Sequence, residues 1–471
     1  MTLHRACRAK VVDLFRARGL TSGVILIKGG EEQNQYDTDI ELVFRQDSWF
    51  NYLFGVMEPG FWGVISLTTG ATTLLMPRHF PDYAVWCGDV KPPSHFKAHY
   101  DVEDVIFTDE VDTFLPGAIA AEGTGARIHT LSGSNSDSGL SVNQTYPSLK
   151  LDAPFDDSAF HHILSTARVT KSEAEIAVMH YSAYVASNAH VAVMRSTKPG
   201  MMEYELEARF LFEIYKNGGA RKCAYTNICA CGPNNAVLHY GHAAAPNDCV
   251  LEDTHMALLD MGADYHGYVS DITCSFPIIG KFTADQKTIF EGVFNAQVAV
   301  YEMAKPGALW SDCHLAAERE VLKALISLGV LQGDLDAMQA AAVGSVFMPH
   351  GLGHLIGCDT HDVGGYVDGT PSRHSRDGLK KLRTARALEA NMVLTNEPGC
   401  YFIDMLLDRA LANPEQAPFF NTEVLPRFRR SGGVRLEDVF VIRESGVIDN
   451  LTTCPRLVSE VESVMAGGPW P

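Results

Sequence analysis

The chain has 471 residues, a net charge of −19, 46% hydrophobic and 20% charged residues, and 11 cysteines. That length exceeds one compact core and implies two domains, and the composition is that of an ordinary globular protein rather than a disordered or low-complexity one. Lys and Arg form no stripe, which argues against nucleic acid as a partner, and no apolar run reaches membrane-spanning length.

The opening MTLHRACRAKVVDLF is basic but has no apolar signal-peptide core. With it, the odd number and scattered positions of the cysteines read as reduced thiols in a cytoplasmic protein. ACRAKVVDLFRARG has the spacing of an amphipathic helix, with Val11, Val12, Leu14 and Phe15 near one face. SGVILIKGG, GFWGVISLTT, TTLLMP, DVEDVIFT and ARIHTLS follow as short strand candidates broken by turn residues. A loop-rich stretch runs from Ser132 to Phe160. Residues 1–165 are therefore expected to form a smaller mixed α/β domain.

Thr170-Lys-Ser-Glu173 has the capping-box pattern and opens a long predicted helix to Ser196. Further helices are expected at EYELEARFLFEIYKNGG, over Ala284–Met303 and over Ser311–Leu328. Strand-like segments lie between and after them, at HMALLDMGADYHGYVSDITCSF, MVLTNEPGCYF and GGVRLEDVFVI. This grouping predicts an α+β domain over residues 166–471. Cys229 and Cys231 form a C-x-C pair, with no second pair to complete a zinc site.

The strand-like segments carry acids in apolar company. Asp260 sits in LLDMG and Asp271 in VSDITCSF. A hairpin centred near Tyr265–His266 would set them opposite each other, with Cβ atoms ~5 Å apart. Carboxylates that close repel unless a proton or a cation intervenes, and aspartate is depleted from strand interiors. Met348-Pro-His350-Gly-Leu-Gly-His354 places two histidines among glycines, a tight loop rather than a helix, and His361 follows in HDVGG. Glu397 ends the apolar run VLTN before Pro-Gly. Arg435 and Glu437 share one face of GGVRLEDVFVI. Two aspartates, one histidine and two glutamates balance two divalent cations. The oxygen-rich set suits manganese, with cobalt, iron or zinc also compatible. Two such ions ~3.5–4 Å apart do hydrolytic chemistry.

With those residues in order, the sequence resembles the pita-bread metallopeptidases, a family that includes methionine aminopeptidase, aminopeptidase P and prolidase. FRQDSWFNYLFGVMEPG resembles the N-terminal domain shared by the latter two. HYGHAAAPND, SDITCSFP, FMPHGLGH, HDVGGY, LRTAR and GGVRLED are similar to prolidase in particular. The resemblance implies a pita-bread catalytic domain that hydrolyses Xaa-Pro dipeptides with a metal-bridging hydroxide as nucleophile. It implies that Asp260 binds one metal, that Asp271 and Glu437 bridge both, and that His354 and Glu397 bind the second. Glu397 doubles as general base, and His361 and His239 contact the substrate or its oxyanion. His350 and Tyr225 line the substrate wall. Arg383 takes the free carboxylate after the proline ring, and Arg435 is expected beside the substrate, holding carboxylates in place next to Glu437. Family members are commonly homodimers, and Trp86 in AVWCGD is a candidate partner contact. One departure is Glu389-Ala-Asn391, where prolidases carry Pro-Gly; Asn can adopt the left-handed conformation that the turn needs. The alternatives are an aminopeptidase P acting on longer Xaa-Pro peptides, a metal-free hydrolase of the creatinase type, or a non-catalytic pita-bread binding protein. The intact ligand set disfavours the last two.

Overall fold

The computed structural model describes the chain apart from Met1, Ser148, Lys150, Leu151, Asp152 and Pro471, so part of the loop-rich stretch 132–160 lies outside the described residues. The chain divides into two compact units, Met1–Ser172 and Glu173–Pro471.

In the first unit, helix α1 (Thr2–Ala17) buries Val11, Val12 and Phe15. The predicted strands become β1 (Val24–Lys28), β2 (Trp62–Ser66), β3 (Thr72–Met76), β4 (Asp104–Phe107) and β5 (Ile128–His129), and β6 (Phe155–Asp156) joins them. They form one sheet in the order β4-β3-β2-β1-β5-β6. The β1–β2 and β2–β3 pairs are antiparallel and the β3–β4, β1–β5 and β5–β6 pairs parallel, so the domain is mixed α/β. The helix Phe160–Val169 also belongs here, because its Phe160 ring packs 5.9 Å from that of Phe15. The unit therefore extends past the expected end at residue 165.

The second unit holds the four predicted long helices, α2 (Glu173–Ser196), α3 (Glu203–Gly218), α4 (Ala284–Met303) and α5 (Trp310–Ser327). Strands β7 (Ile228–Cys231), β8 (Met256–Asp260) and β11 (Thr273–Pro277) form an antiparallel sheet with β8 central. Between β8 and β11 the chain makes a small hairpin, β9 (Ala263–Tyr265) and β10 (Tyr268–Val269). Further along, β12 (Val393–Asn396) pairs with β15 (Asp438–Ile442), and β13 (Gly399–Tyr401) with β14 (Gly433–Arg435). Glu437 lies where β14 runs into β15, and its amide donates to the Thr273 carbonyl at 3.1 Å. That bond links the two sets of strands.

The hairpin corrects one expectation. Its central residues are His266 and Gly267, with φ of +52° and +77°, as a two-residue type I′ turn requires. Tyr265 pairs with Tyr268, and further along the ladder Asp260 pairs with Thr273. Asp260 and Asp271 are thus diagonal neighbours on one face rather than directly opposed.

Candidate metal centre

Each candidate ligand enters from a different piece of backbone. Asp260 ends β8, Asp271 precedes β11, and Glu397 follows β12 before Pro398 and Gly399 redirect the chain into β13. Glu437 sits at the β14–β15 junction. His354 lies in the loop after the short helix Gly344–Phe347. That loop needs its glycines. A Cβ on Gly353 would stand 2.1 Å from the Thr395 carbonyl oxygen, and one on Gly351 2.8 Å from that of Lys381. The close approach lets the His354 amide donate to Thr395 Oγ1 at 3.0 Å.

These side chains converge on one cavity of about 310 Å³, which all five line. Single ligand atoms of Asp271, His354 and Glu437 all lie within 4.8 Å of one another. His354 Nε2 is 3.4 Å from both Asp271 Oδ2 and Glu397 Oε1. Its Nδ1 lies 3.0 Å from the Leu355 carbonyl, an acceptor that calls for a proton on Nδ1. Nε2 would then offer its lone pair to a bound cation, as a metal-binding imidazole requires. The Tyr225 hydroxyl is hydrogen-bonded to Oδ1 of both Asp260 and Asp271, so one small group spans the two aspartates.

Electrostatics marks the cluster as short of positive charge. Burial pushes the Asp260 carboxyl up to about 6 against the opposing pull of Arg435, and pushes Glu397 up to about 7. Glu437 is raised well above its ordinary value by burial and then by Asp271 and Glu397. Burial would raise Asp271 too, but His354, Tyr225 and His361 together draw that carboxyl down, and Asp271 and Glu397 in turn raise His354 against its own burial. Four carboxylates, Asp271 and Glu437 buried and Asp260 and Glu397 partly so, facing one imidazole and one guanidinium, fit a pair of divalent cations, whose charge would let all four ionise together.

The other sequence candidates divide into two groups. His239, His350, His361 and Arg383 line the same cavity. The rings of His361 and His354 stand edge to face, 4.6 Å apart. Burial, with His354 and Arg383 nearby, pushes His361 down to about 3; burial and Arg435 push His350 down to about 4. Both are neutral. Two residues move from their expected places. Tyr225, expected in the substrate wall, lies behind Asp260 and Asp271. Arg435 does face the cavity, but each nitrogen of its guanidinium is engaged: Nε with Thr273 Oγ1 at 3.0 Å, Nη1 with the Tyr401 hydroxyl at 2.8 Å, and Nη2 with Asp260 Oδ2 at 2.6 Å. It anchors a ligand rather than presenting a free fork.

Three participants escaped the sequence reading. Thr273 Oγ1 donates to Glu437 Oε2 at 2.8 Å. The Tyr401 hydroxyl connects Arg435 to His350 Nε2, 3.0 Å away. Lys381 lines the cavity two residues before Arg383. Thr273 lies two residues beyond Asp271, and that i, i+2 spacing on an alternating strand was the signal available for it.

Similarity to known proteins extends over nearly the whole chain. A family model described as metallopeptidase family M24 matches residues 177–444, and one for the aminopeptidase P N-terminal domain matches residues 4–127. The Xaa-Pro dipeptidase of Homo sapiens is 47% identical over 452 residues, covering 94% of this chain and 89% of the human one. A probable Xaa-Pro aminopeptidase of Phaeosphaeria nodorum is 34% identical over 454 residues, covering 96% of this chain and 93% of its own. The solved structure of Pseudomonas aeruginosa aminopeptidase PepP superposes with a TM-score of 0.78 at 30% identity, covering 98% of both chains.

Proposed function

Because the chain belongs to metallopeptidase family M24, it is a metallopeptidase that binds divalent metal, and we propose that it cleaves Xaa-Pro dipeptides. Asp260, Asp271, His354, Glu397 and Glu437 are the residues that would hold two cations. The donor set favours manganese. When bound, such a pair supplies Lewis-acid activation of water and of the scissile carbonyl.

The protein's own groups do the rest. Glu397 accepts the proton released as water attacks and passes it to the departing proline nitrogen, a secondary amine that leaves only when protonated. His361 and His239 donate ring N–H groups to the substrate carbonyl as negative charge develops on it. Burial, with Arg435 and Arg383 nearby, lowers His239, and burial, with His354 and Arg383 nearby, lowers His361, which favours the neutral form of both rings. His350 packs at the wall, 3.7 Å from Glu397 Oε2. Arg435, Tyr225 and Thr273 hold the carboxylates in position from behind.

One observation carries the dipeptidase reading: Arg383 lines the same small cavity as the five ligands. A planar guanidinium there suits the carboxylate that follows proline directly, and obstructs a longer chain. The test is hydrolysis of Ala-Pro beside Ala-Pro-Ala with added manganese. The reading expects preference for the dipeptide, and a fall of about 10–100-fold in dipeptide kcat/KM for Arg383→Ala, the loss of a charged hydrogen-bonded pair. Preference for the tripeptide, with Arg383→Ala unaffected, makes the protein an aminopeptidase P.

Two further assignments complete the proposal. All 11 cysteines are free thiols, which supports a cytoplasmic location. The helix Tyr83–Cys87 buries none of its residues, and Trp86 is 86% exposed beside Phe80 and Val85. Apolar side chains left so open support a homodimer in which this segment meets the second copy.

A further inference from the structure

Lys381 belongs to no motif singled out in the sequence, yet it lines the cavity that holds the acids. It ends the short 3₁₀ turn Leu379–Lys381, after which Leu382 is extended, with φ −58° and ψ +136°. Leu382 is wholly buried. Lys381 and Arg383 flank it in the chain, and both line the cavity. The backbone between them is pinned. The Leu382 carbonyl accepts from the Tyr366 hydroxyl at 2.9 Å and from Arg373, and the Lys381 amide donates to the Gly378 carbonyl at 3.2 Å. The absent side chain of Gly351 leaves room for the Lys381 carbonyl against the His350 loop.

The ammonium itself is uncommitted. Lys380 pairs with Asp377, whereas Lys381 Nζ has no hydrogen-bond or ion-pair partner among the described residues. Lys381 and Arg383 thus bring two cationic side chains to the lining of one cavity. A carboxylate meets both: the guanidinium fork takes one edge, and its remaining lone pairs are open to an ammonium.

We propose that Lys381 is a specificity-determining residue that shares the prolyl carboxylate of the substrate with Arg383. This rests on the dipeptidase reading above and assigns a second cation to the carboxylate end of that site. The test is steady-state kinetics on Ala-Pro for wild type, Lys381→Arg, Lys381→Met and Lys381→Glu, with alanyl-prolinamide, which has no carboxylate, as a competitive inhibitor. The expected result is a KM unchanged in the Arg variant, raised about 2–5-fold in the Met variant, as for a partly exposed ion pair, and raised further in the Glu variant. kcat and the Ki of the amide stay at wild-type values throughout. The gap between wild type and the Met variant narrows as salt screens the pair. Wild-type KM in the Met and Glu variants overturns the proposal. So does a rise in KM matched by an equal rise in the Ki of the amide, which assigns Lys381 a merely structural role. Failure of the wild-type enzyme to cleave Ala-Pro at all defeats the dipeptidase reading itself, and that is seen before any variant is made.

Discussion

Thr273 is fully buried and stands between two charges: its hydroxyl donates to Glu437 and accepts from Arg435. Replacing it with valine keeps the shape and removes both bonds. Glu437 then loses the donor that orients it, and Arg435 loses one of the two contacts that aim it at Asp260. Groups placed behind metal ligands typically account for about 10–100-fold in metal affinity or activity, so Thr273→Val should weaken manganese binding by that factor in a metal titration. The circular dichroism spectrum should stay as in wild type, since an unpaired buried polar group costs only about 1–3 kcal/mol. Asp260 and Asp271 were legible in the sequence because aspartates in apolar strands need a reason to be there, whereas His354, Glu397 and Glu437 gained weight only in company and from the family resemblance; all five line one cavity. The groups behind them were not legible. Nothing in the string of letters distinguishes a tyrosine in the substrate wall from one bonded to two aspartates, or a free arginine from one with every nitrogen engaged. Those distinctions depend on which residues face each other across strands far apart in sequence.

The hairpin between Asp260 and Asp271 shows the same limit for elements. Its strands and turn composition were readable, but the register was not, because two adjacent pairs in GADYHG could each form the turn. Placing it at His266-Gly267 gives both central residues the positive φ that a I′ turn demands, and so sets Asp260 across from Thr273. Gly267→Val forces a β-branched side chain into the left-handed region and should cost about 1–2 kcal/mol, seen as a lower urea midpoint at constant slope. His266→Asn, which suits that region, should leave the midpoint within about 0.5 kcal/mol of wild type. An equal loss in both variants would show that the turn does not control the stability of this hairpin. The sequence was a better guide at Asn391. It was read as a residue able to take the left-handed conformation, and it has φ of +64°. The long helices were equally readable: α4 spans the residues expected of it, and α5 starts and ends one residue early, within the usual uncertainty of helix ends.

At the scale of the whole molecule, length implied two domains, and the chain forms two units. What no local pattern conveys is how the second unit closes on its own charge. Asp260 and Asp271 come from one group of strands and Glu397 and Glu437 from another, with His354 on a loop between them in sequence. Burial raises three of the four carboxyls, so in the apo protein the two groups meet across unbalanced or protonated acids, and cations held as proposed would offset that repulsion. Metal binding is thereby coupled to the cohesion of the unit. At a metal concentration about 100 times Kd, one binding event contributes about 2.7 kcal/mol to the folded state. For a unit of this size, that is a rise in Tm of about 4 °C. Stripping the protein with chelator should abolish Ala-Pro hydrolysis and lower Tm by that amount in calorimetry, and manganese should restore both. If activity is lost while Tm stays fixed, the metals serve chemistry alone and the strands meet without them. If activity survives in excess chelator, the assignment of the five ligands fails.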